Sequence, residues 1–381
     1  MKSPELMDLY SDYLLSSPTV VSALVLVKVL NDSYSHDSVT RMLAQGELSQ
    51  QKYWKQIKRV IRQVESTLAV ISIDDTIEEK PHSTDNELIS WHYDHSQGKS
   101  VKGINMVTFT YVNELDSQVK VKLPLAWELV RKDKVVEKTE KKDGKFITRQ
   151  VRQASVSKIQ LVKERLGILA HQNHVKFGHV VFDTWYTSAE LMKYIVLDIN
   201  KHFVCAIKDN RMISFDITGA SEKSKTWQAV SQAELEPGRV YQVRVKEVPF
   251  TLHLVKKVYH NQDGSTGVQY LLSSDTSQDA QQIDQTYQKR WSSEDLHRSL
   301  KQNTALEKMP AKMACSQSNH IFASMLAQVK LESLKMATKQ NHYALKKQIL
   351  IESLKSAWKY VQQLKQWTSE KNISFPNFQA A

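Results

Sequence analysis

The chain has few cysteines and no long apolar run. Its two cysteines, Cys205 and Cys315, are too few for a disulfide framework and lack the spacing of metal ligands, so a reducing cytosol is the simplest inference. The longest apolar stretch, Val20 to Leu30, is interrupted by Ser22 and Lys28 and is too short to span a bilayer. The sequence therefore indicates neither a disulfide-stabilised secreted protein nor a membrane-spanning one.

Targeting signals and repeats are also missing. The acidic, polar start from Met1 to Tyr13 has neither the basic flank nor the small-residue cleavage site of a signal peptide. The sequence contains no convincing internal repeat or low-complexity segment. We therefore expect a cytoplasmic protein with no membrane partner.

What the chain does have is length and positive charge. Its 381 residues are 41% hydrophobic, which is enough for two or three domains with a proper core. The net charge of +11 favours a polyanionic partner, because Lys and Arg gain affinity by releasing the counterions condensed on nucleic acid. Solubility or binding to anionic lipid would explain the same charge, so a nucleic-acid partner needs support from other features.

Residues 1–66 have a helical pattern. An apolar helix follows Pro18, a second is capped by Asp37 or Ser38, and a third runs from Gln50 to Val64. The third helix is basic and carries Lys52, Lys55, Lys58, Arg59 and Arg62. Three short helices with a basic last one suit a DNA-binding module of the helix-turn-helix type. The alternative is a helical bundle that packs on the next domain and leaves its charges in solvent.

The next part of the chain alternates between strand and helix patterns. Short apolar runs predict strands, and apolar residues at helical spacing predict helices. The predicted elements are strands at Leu68–Ile73, Asn105–Val112 and Val119–Leu129, a helix at Ser155–Gln172, a strand at His179–Asp183, a helix at Ser188–Asn200 and a strand at His202–Ile207. The first three strands would form an antiparallel meander, and the whole order predicts an α/β core with a mixed sheet.

Two polar segments of this part are less informative. The charged run Lys132 to Lys145 is expected to be a solvated hairpin loop, with contact between its lysines and DNA as the alternative. His92 and His95 would suit zinc if they lay on a helix, but no further Cys or His completes the set.

The stretch from Tyr287 to Lys301 carries the most specific pattern. In a helix, Tyr287, Arg290, Glu294 and Lys301 would share one face. A guanidinium, an ammonium and a phenol all bind phosphate oxygens, whereas a lone carboxylate among them would be repelled. Glu294 fits there only if a cation stands between it and the phosphate.

Further acids follow two predicted strands. Asp74 and Asp75 come after the first strand, and Asp183 ends the strand that begins at His179. Together with Glu294 they provide the carboxylates of a two-metal phosphoryl-transfer site. Because neighbouring strand residues point to opposite faces, only one of Asp74 and Asp75 can face the metals.

These residues carry a resemblance to a known family. The spacing of Tyr287, Arg290, Glu294 and Lys301, with Trp291 after the arginine, resembles the Tyr-Arg-Glu-Lys signature of DDE transposases of the bacterial insertion sequence four type. Asp74-Asp75-Thr76 looks like the first catalytic position of that group, and Asp183-Thr-Trp-Tyr186 looks like the second. A β-rich block between the second aspartate and the glutamate also matches the group.

The resemblance implies a fold and an arrangement of domains. The fold would be an RNase-H-like α/β core with a mixed sheet, interrupted by a β-rich insertion and flanked by helical terminal regions. We expect a helical, DNA-binding segment at 1–66, the first part of the core at 67–208, the insertion at 209–275, the last part of the core with the catalytic helix at 276–310, and a helical region at 311–381.

The resemblance also implies a chemistry. Asp74, Asp183 and Glu294 would hold two Mg²⁺ ions, for which Mn²⁺ would substitute, and the Asp-x-Thr register favours Asp74 over Asp75. The enzyme would excise and insert DNA by a cut-and-paste route, in the cytoplasm at the bacterial nucleoid. Its partners would be double-stranded transposon ends and target DNA, bound by a homodimer.

Residues for DNA contact follow from the same resemblance. Tyr287, Arg290, Lys301, Trp291 and Arg298 are expected to bind the transposon end, and Trp185, Trp227 and Trp291 are candidates for stacking on a flipped base. Two alternatives are a hydrolytic nuclease or resolvase with the same fold, and a domesticated DNA-binding protein that has lost catalysis.

Overall fold

A computed structural model describes residues 3–17, 21–95, 97–115, 119–142, 145–218, 222–260 and 263–371. Its α-helices are α1 (Ser3–Ser16), α2 (Ala23–Val29), α3 (His36–Ala44), α4 (Gln50–Val64), α5 (Lys158–Gly167), α6 (Ala189–Lys193), α7 (Ala280–Gln288), α8 (Trp291–Asn303), α9 (Ala314–Thr338) and α10 (His342–Glu370). Its strands are β1 (Val70–Glu79), β2 (Ser90–Asp94), β3 (Lys99–Glu114), β4 (Lys120–Leu129), β5 (Lys134–Lys142), β6 (Lys145–Gln153), β7 (His179–Phe182), β8 (His202–Ile207), β9 (Met212–Ser214), β10 (Gln228–Ala229), β11 (Val240–Val245), β12 (Leu252–His260) and β13 (Thr266–Ser273).

The central strand of the fold is β1, which begins with the buried residues Val70, Ile71, Ser72 and Ile73. It pairs antiparallel with β3 on one side and parallel with β7 on the other. Beyond these neighbours, β4 pairs antiparallel with β3 and β8 pairs parallel with β7. The resulting order β4-β3-β1-β7-β8 confirms the predicted mixed sheet of RNase-H-like type, flanked by helical terminal regions.

The β-rich block at 209–275 continues this sheet. β13 pairs antiparallel with β8, and the sheet then runs on through β12, β11, β9 and β10. Leu271 of β13 lies opposite Ala206 of β8, and both side chains are buried. The strands between Asp183 and Glu294 are therefore hydrogen-bonded to the core strands rather than forming a sheet of their own.

The amino-terminal helices pack on β4 and on the long helix α9. The apolar face of α4 is fully buried, and the Tyr53 hydroxyl donates a hydrogen bond of 2.6 Å to the Pro124 carbonyl in β4. Its charged side chains Lys52, Lys55, Lys58 and Arg59 are exposed. The bounds of α4 are those predicted, but the structure adds α1 before it and caps α3 with Ser35 instead of Asp37 or Ser38.

Two strand assignments made from the sequence were wrong. β1 does not end before the acids but continues through Asp74 and Asp75 to Glu79, because β3 pairs with it along its whole length. The charged run from Lys132 is not a loop, since most of it forms β5, which pairs with β6 in a two-stranded hairpin. Residues 143–144 of that run lie outside the described residues.

The remaining sequence expectations concern zinc and membranes. His92 lies on β2, and His95 lies just beyond the end of that strand. The two histidines are therefore not on a helix, which the zinc interpretation required. Burial, followed by the charge of Lys132, lowers the pKa of His92 to about 4. None of the helices in the described part of the chain combines the length and the apolar composition needed to cross a bilayer.

Candidate active site

Six acids among the described residues line one open cavity of about 810 Å³, and three of them, from three different elements, are the predicted catalytic acids Asp74, Asp183 and Glu294. Asp74 lies within β1, Asp183 directly follows β7, and Glu294 lies in the first turn of α8. In the parallel pair of β1 and β7, Ser72 lies opposite Val181. Asp74 and Asp183 each come two residues later, so the strand register places them at the same level of neighbouring strands.

The alternation along β1 separates the two adjacent aspartates. Ser72 and Asp74 point toward α8, where the Ser72 hydroxyl donates to the Arg290 carbonyl at 3.2 Å. Asp75 points to the opposite face and accepts hydrogen bonds from the Lys158 ammonium at 2.7 Å, the Tyr186 hydroxyl at 2.9 Å and the Asn105 amide at 3.1 Å. Asp75 also lines the cavity, but Asp74 is the one of the two that points toward α8, the helix that carries Glu294.

Arg290 lies between two of the acids. Its guanidinium is 2.8 Å from Glu294 Oε1 and 3.6 Å from Asp74 Oδ2. Its buried Nε has no hydrogen-bond partner among the described residues. Arg290 is thus the cation that compensates Asp74 and Glu294 in this structure.

The charge of Asp74 is only partly compensated. Burial raises the pKa of its carboxyl to about 7, Arg290 opposes that rise, and the neighbouring charge of Asp183 adds to it. A buried acid cluster of this kind favours a further cation, and carboxylate oxygens are the donors that Mg²⁺ prefers. Within the described residues, however, no three His, Cys, Asp or Glu side chains lie close enough together to hold one ion.

The side chains expected to contact DNA divide into two sets. Tyr287, Arg290 and Lys301 line the same cavity as the acids. Lys301 is 3.0 Å from Glu307 and donates to the Ile77 carbonyl at 3.4 Å. Trp291 and Arg298 are exposed and are not among the described residues that line the cavity.

The tryptophans proposed for base stacking also differ. Trp185 lines the cavity with 43% of its surface exposed, and the Lys158 ammonium lies 4.6 Å from the centre of its ring. Trp227 is half-buried and, like Trp291, is not among the described residues of the cavity wall.

The stretch from Tyr287 to Lys301 is not one continuous helix as predicted. α7 ends at Gln288 and α8 begins at Trp291, with a turn at Lys289 and Arg290. At this turn the chain is bonded to the sheet, since the Ser72 hydroxyl donates to the Arg290 carbonyl and the buried Ser293 hydroxyl donates to Ser72 Oγ at 2.7 Å. Hydrogen bonds from a residue to the one three before it close the turn, as in Arg290 to Tyr287 at 2.9 Å.

Two family models match the chain. The model described as a DDE superfamily endonuclease matches residues 5–229, and the model described as a transposase DDE domain matches residues 135–330. Each match covers more than half of the 381 residues. The chain belongs to the DDE superfamily of endonucleases. The first match includes Asp74 and Asp183, and the second includes Asp183 and Glu294, so the two together support a DDE transposase.

Eight chains of known structure also match this DDE protein. One is the cryo-EM structure of a piggyBac transposase synaptic complex with hairpin DNA, which is 12% identical. The alignment covers 98% of this chain and 76% of that chain, with a TM-score of 0.48. No curated protein matches.

Sequence reasoning missed part of the DDE protein's cavity. Lys158 reaches the cavity from the start of α5, and Tyr186 is fully buried beneath it. Tyr186 carried a signal, because it ends the motif that begins at Asp183. No sequence signal pointed to Lys158, since it lies 83 residues from its partner Asp75.

Proposed function

We propose that this DDE protein is a transposase of the insertion sequence four type, which cuts the ends of its element and joins them to target DNA. The observation that carries the proposal is that Asp74, Asp183 and Glu294 line one cavity together with Tyr287, Arg290 and Lys301. The cavity thus combines carboxylates suited to cations with cationic groups suited to phosphates.

The proposed metal ligands are Asp74, Asp183 and Glu294. Enzymes of the DDE family generally use divalent metal ions. Two Mg²⁺ ions, or Mn²⁺ in their place, would activate the attacking oxygen and stabilise the leaving one. Arg290, which contacts both Asp74 and Glu294, would hold a DNA phosphate beside these carboxylates.

The reaction would proceed in two displacements at phosphorus. In the first, a water oxygen forms a bond to phosphorus while the bond to the 3′-oxygen breaks, which leaves a 3′-hydroxyl and a 5′-phosphate. In the second, that 3′-hydroxyl loses its proton and attacks a target phosphate, whose own 3′-oxygen leaves and takes up a proton. A cut end has to be retained between these steps, and Tyr287, Arg290 and Lys301 are the side chains suited to hold it.

The rest of the chain would deliver the DNA. Lys52, Lys55, Lys58 and Arg59 form an exposed basic face on α4 that suits a duplex backbone. Two transposon ends would be held by a homodimer, at the nucleoid of a bacterial cell.

The decisive experiment compares Glu294→Gln with Asp295→Asn. Asp295 is the next residue, but it pairs with Lys122 and lines a different cavity. We expect Glu294→Gln to abolish Mg²⁺-dependent cleavage and joining of cloned element ends, because the substitution removes a proposed metal ligand. Binding of the ends should stay near the wild-type level, because no phosphate contact is removed.

Asp295→Asn should keep most of the activity of the wild-type protein. Strand transfer that persists in Glu294→Gln, measured on a labelled oligonucleotide end, would refute the catalytic assignment.

A further inference from the structure

The catalytic cavity continues into two others around the carboxyl-terminal end of α7. A second cavity of about 610 Å³ shares Gln269, Tyr287 and Arg290 with it. A third, of about 660 Å³, shares Lys120 and Gln288 with the second. We call the second and third cavities together the α7 groove.

The turn between α7 and α8 places its two adjacent cations, Lys289 and Arg290, in the walls of different cavities. Arg290 lines the catalytic and second cavities, whereas Lys289 lines the third. Lys120 lines both cavities of the groove, and burial lowers its pKa, assisted by the positive charges of Lys122 and Lys289 and opposed by Glu114 and Asp295. Lysines that crowd one another in this way favour an anion between them.

The acids of the α7 groove are largely paired. Asp284 pairs with Lys257 in the second cavity, and Asp275 lies 3.2 Å from His179 in the third. Glu114 also lines the third cavity. The cations Lys120 and Lys289 are therefore the main side chains available to an anion, since the amides of Gln278, Gln282 and Gln288 in the third cavity already make hydrogen bonds within the protein.

Exposed aromatic rings complete the second cavity. Tyr259 on β12 is 41% exposed and Trp291 is 58% exposed. The Lys257 ammonium lies 5.0 Å from the centre of the Tyr259 ring, so a cation and an aromatic face are presented together. Aromatic rings beside cations are the usual platform for unstacked bases, which a continuous duplex does not offer.

We propose that the α7 groove binds a single DNA strand as it leaves the catalytic cavity. Lys120 and Lys289 would hold its phosphates, and Tyr259 would stack on a base. The identity of this strand rests on the proposed function, since cleavage at the acids would free it, but its binding requires only the groove.

The test measures binding of an oligothymidylate of about 12 nucleotides to the full-length protein by fluorescence anisotropy, between about 50 and 200 mM salt. The Lys120→Ala/Lys289→Ala variant should bind about tenfold more weakly, with a salt slope smaller by about 1.4, because two phosphate contacts on a single strand are lost. The matched control is Lys176→Ala/Lys355→Ala, in which both lysines are 64% exposed and lie away from the groove. It should match the wild-type protein.

A second variant separates stacking from charge. Tyr259→Leu should weaken binding about fivefold or more and leave the salt slope unchanged. An unchanged affinity in the Lys120→Ala/Lys289→Ala variant would overturn the proposal. A second result would also overturn it. If a duplex of the same length bound as tightly as the single strand, and the Lys120→Ala/Lys289→Ala and Tyr259→Leu variants lost duplex binding to the same extent, the groove would hold a duplex backbone.

The two proposals can fail separately. Oligothymidylate binding requires neither cleavage nor element ends, so it is measured on proteins in which all three acids are intact. Cleavage retained by Glu294→Gln would refute the catalytic assignment and leave the groove intact.

Discussion

Asp74 and Asp75 are neighbours in the sequence, but they lie in opposite electrostatic environments. Both carboxylates are mostly buried, with 17% and 22% of the side chain exposed. Asp75 accepts hydrogen bonds from an ammonium, a phenol and an amide. Asp74 has Arg290 at 3.6 Å, the Asp75 backbone N–H at 2.9 Å and other acids nearby, and burial raises its pKa to about 7.

The comparison shows how one strand can supply both a structural carboxylate and a carboxylate suited to bind a cation. A buried carboxylate that accepts several hydrogen bonds stabilises the fold and has less capacity left for a ligand. A buried carboxylate that is under-compensated costs stability and gains from a cation. Since strand residues alternate between faces, a pair of adjacent acids places one of each kind at the same level of the sheet.

The largest expected contrast is in activity. Asp74→Asn should lower the rate of Mg²⁺-dependent cleavage of a labelled element end by at least about a thousandfold, because a proposed metal ligand is lost. Asp75→Asn should stay within about tenfold of the wild-type rate, since the amide still accepts a hydrogen bond and the altered side chain faces away from Glu294. Equal losses in the two variants would show that the faces of β1 do not divide the roles.

Much of the local structure was predictable because it depends on nearby residues. α4 begins after the cap Ser49 and keeps its apolar spacing to Val64, and β8 is the apolar run His202 to Ile207, so both have the predicted bounds. Asp183 follows β7 as expected. These elements are set by caps and periodicity, which a sequence displays.

The rest depends on contacts between distant residues. β1 extends through its acids along its pairing with β3, and the break before α8 lies where Ser72, 218 residues away, bonds the Arg290 carbonyl. The face of the sheet on which the Asp74 side chain lies follows only from the strand register. The roles of Asp74, Asp183 and Glu294 in metal binding stay predictions.

The next contrast is in stability. Asp75→Asn should lower the free energy of unfolding by about 1–3 kcal/mol, because the Lys158 ammonium, only 18% exposed, loses its counter-charge. Asp74→Asn should leave stability unchanged or raise it slightly, since it removes an under-compensated buried charge. Urea unfolding measures both.

A double-mutant cycle of Asp75→Asn with Lys158→Met isolates the ion pair in this measurement. A coupling energy near zero would mean that Lys158 does not depend on Asp75.

The smallest expected effect tests the phenol beneath Asp75. Burial, together with the charge of Asp75, holds the pKa of Tyr186 well above 10, so its hydroxyl remains a donor across the working pH range. Tyr186→Phe removes one of the three hydrogen bonds to Asp75 and should cost about 1 kcal/mol of unfolding free energy, with cleavage changed only a few-fold. Tyr194→Phe, a change of the same kind outside the Asp75 network, is the control. A loss of activity in Tyr186→Phe as large as that in Asp74→Asn would mean that the Asp75 face takes part in the reaction, and the division between the two aspartates would fail.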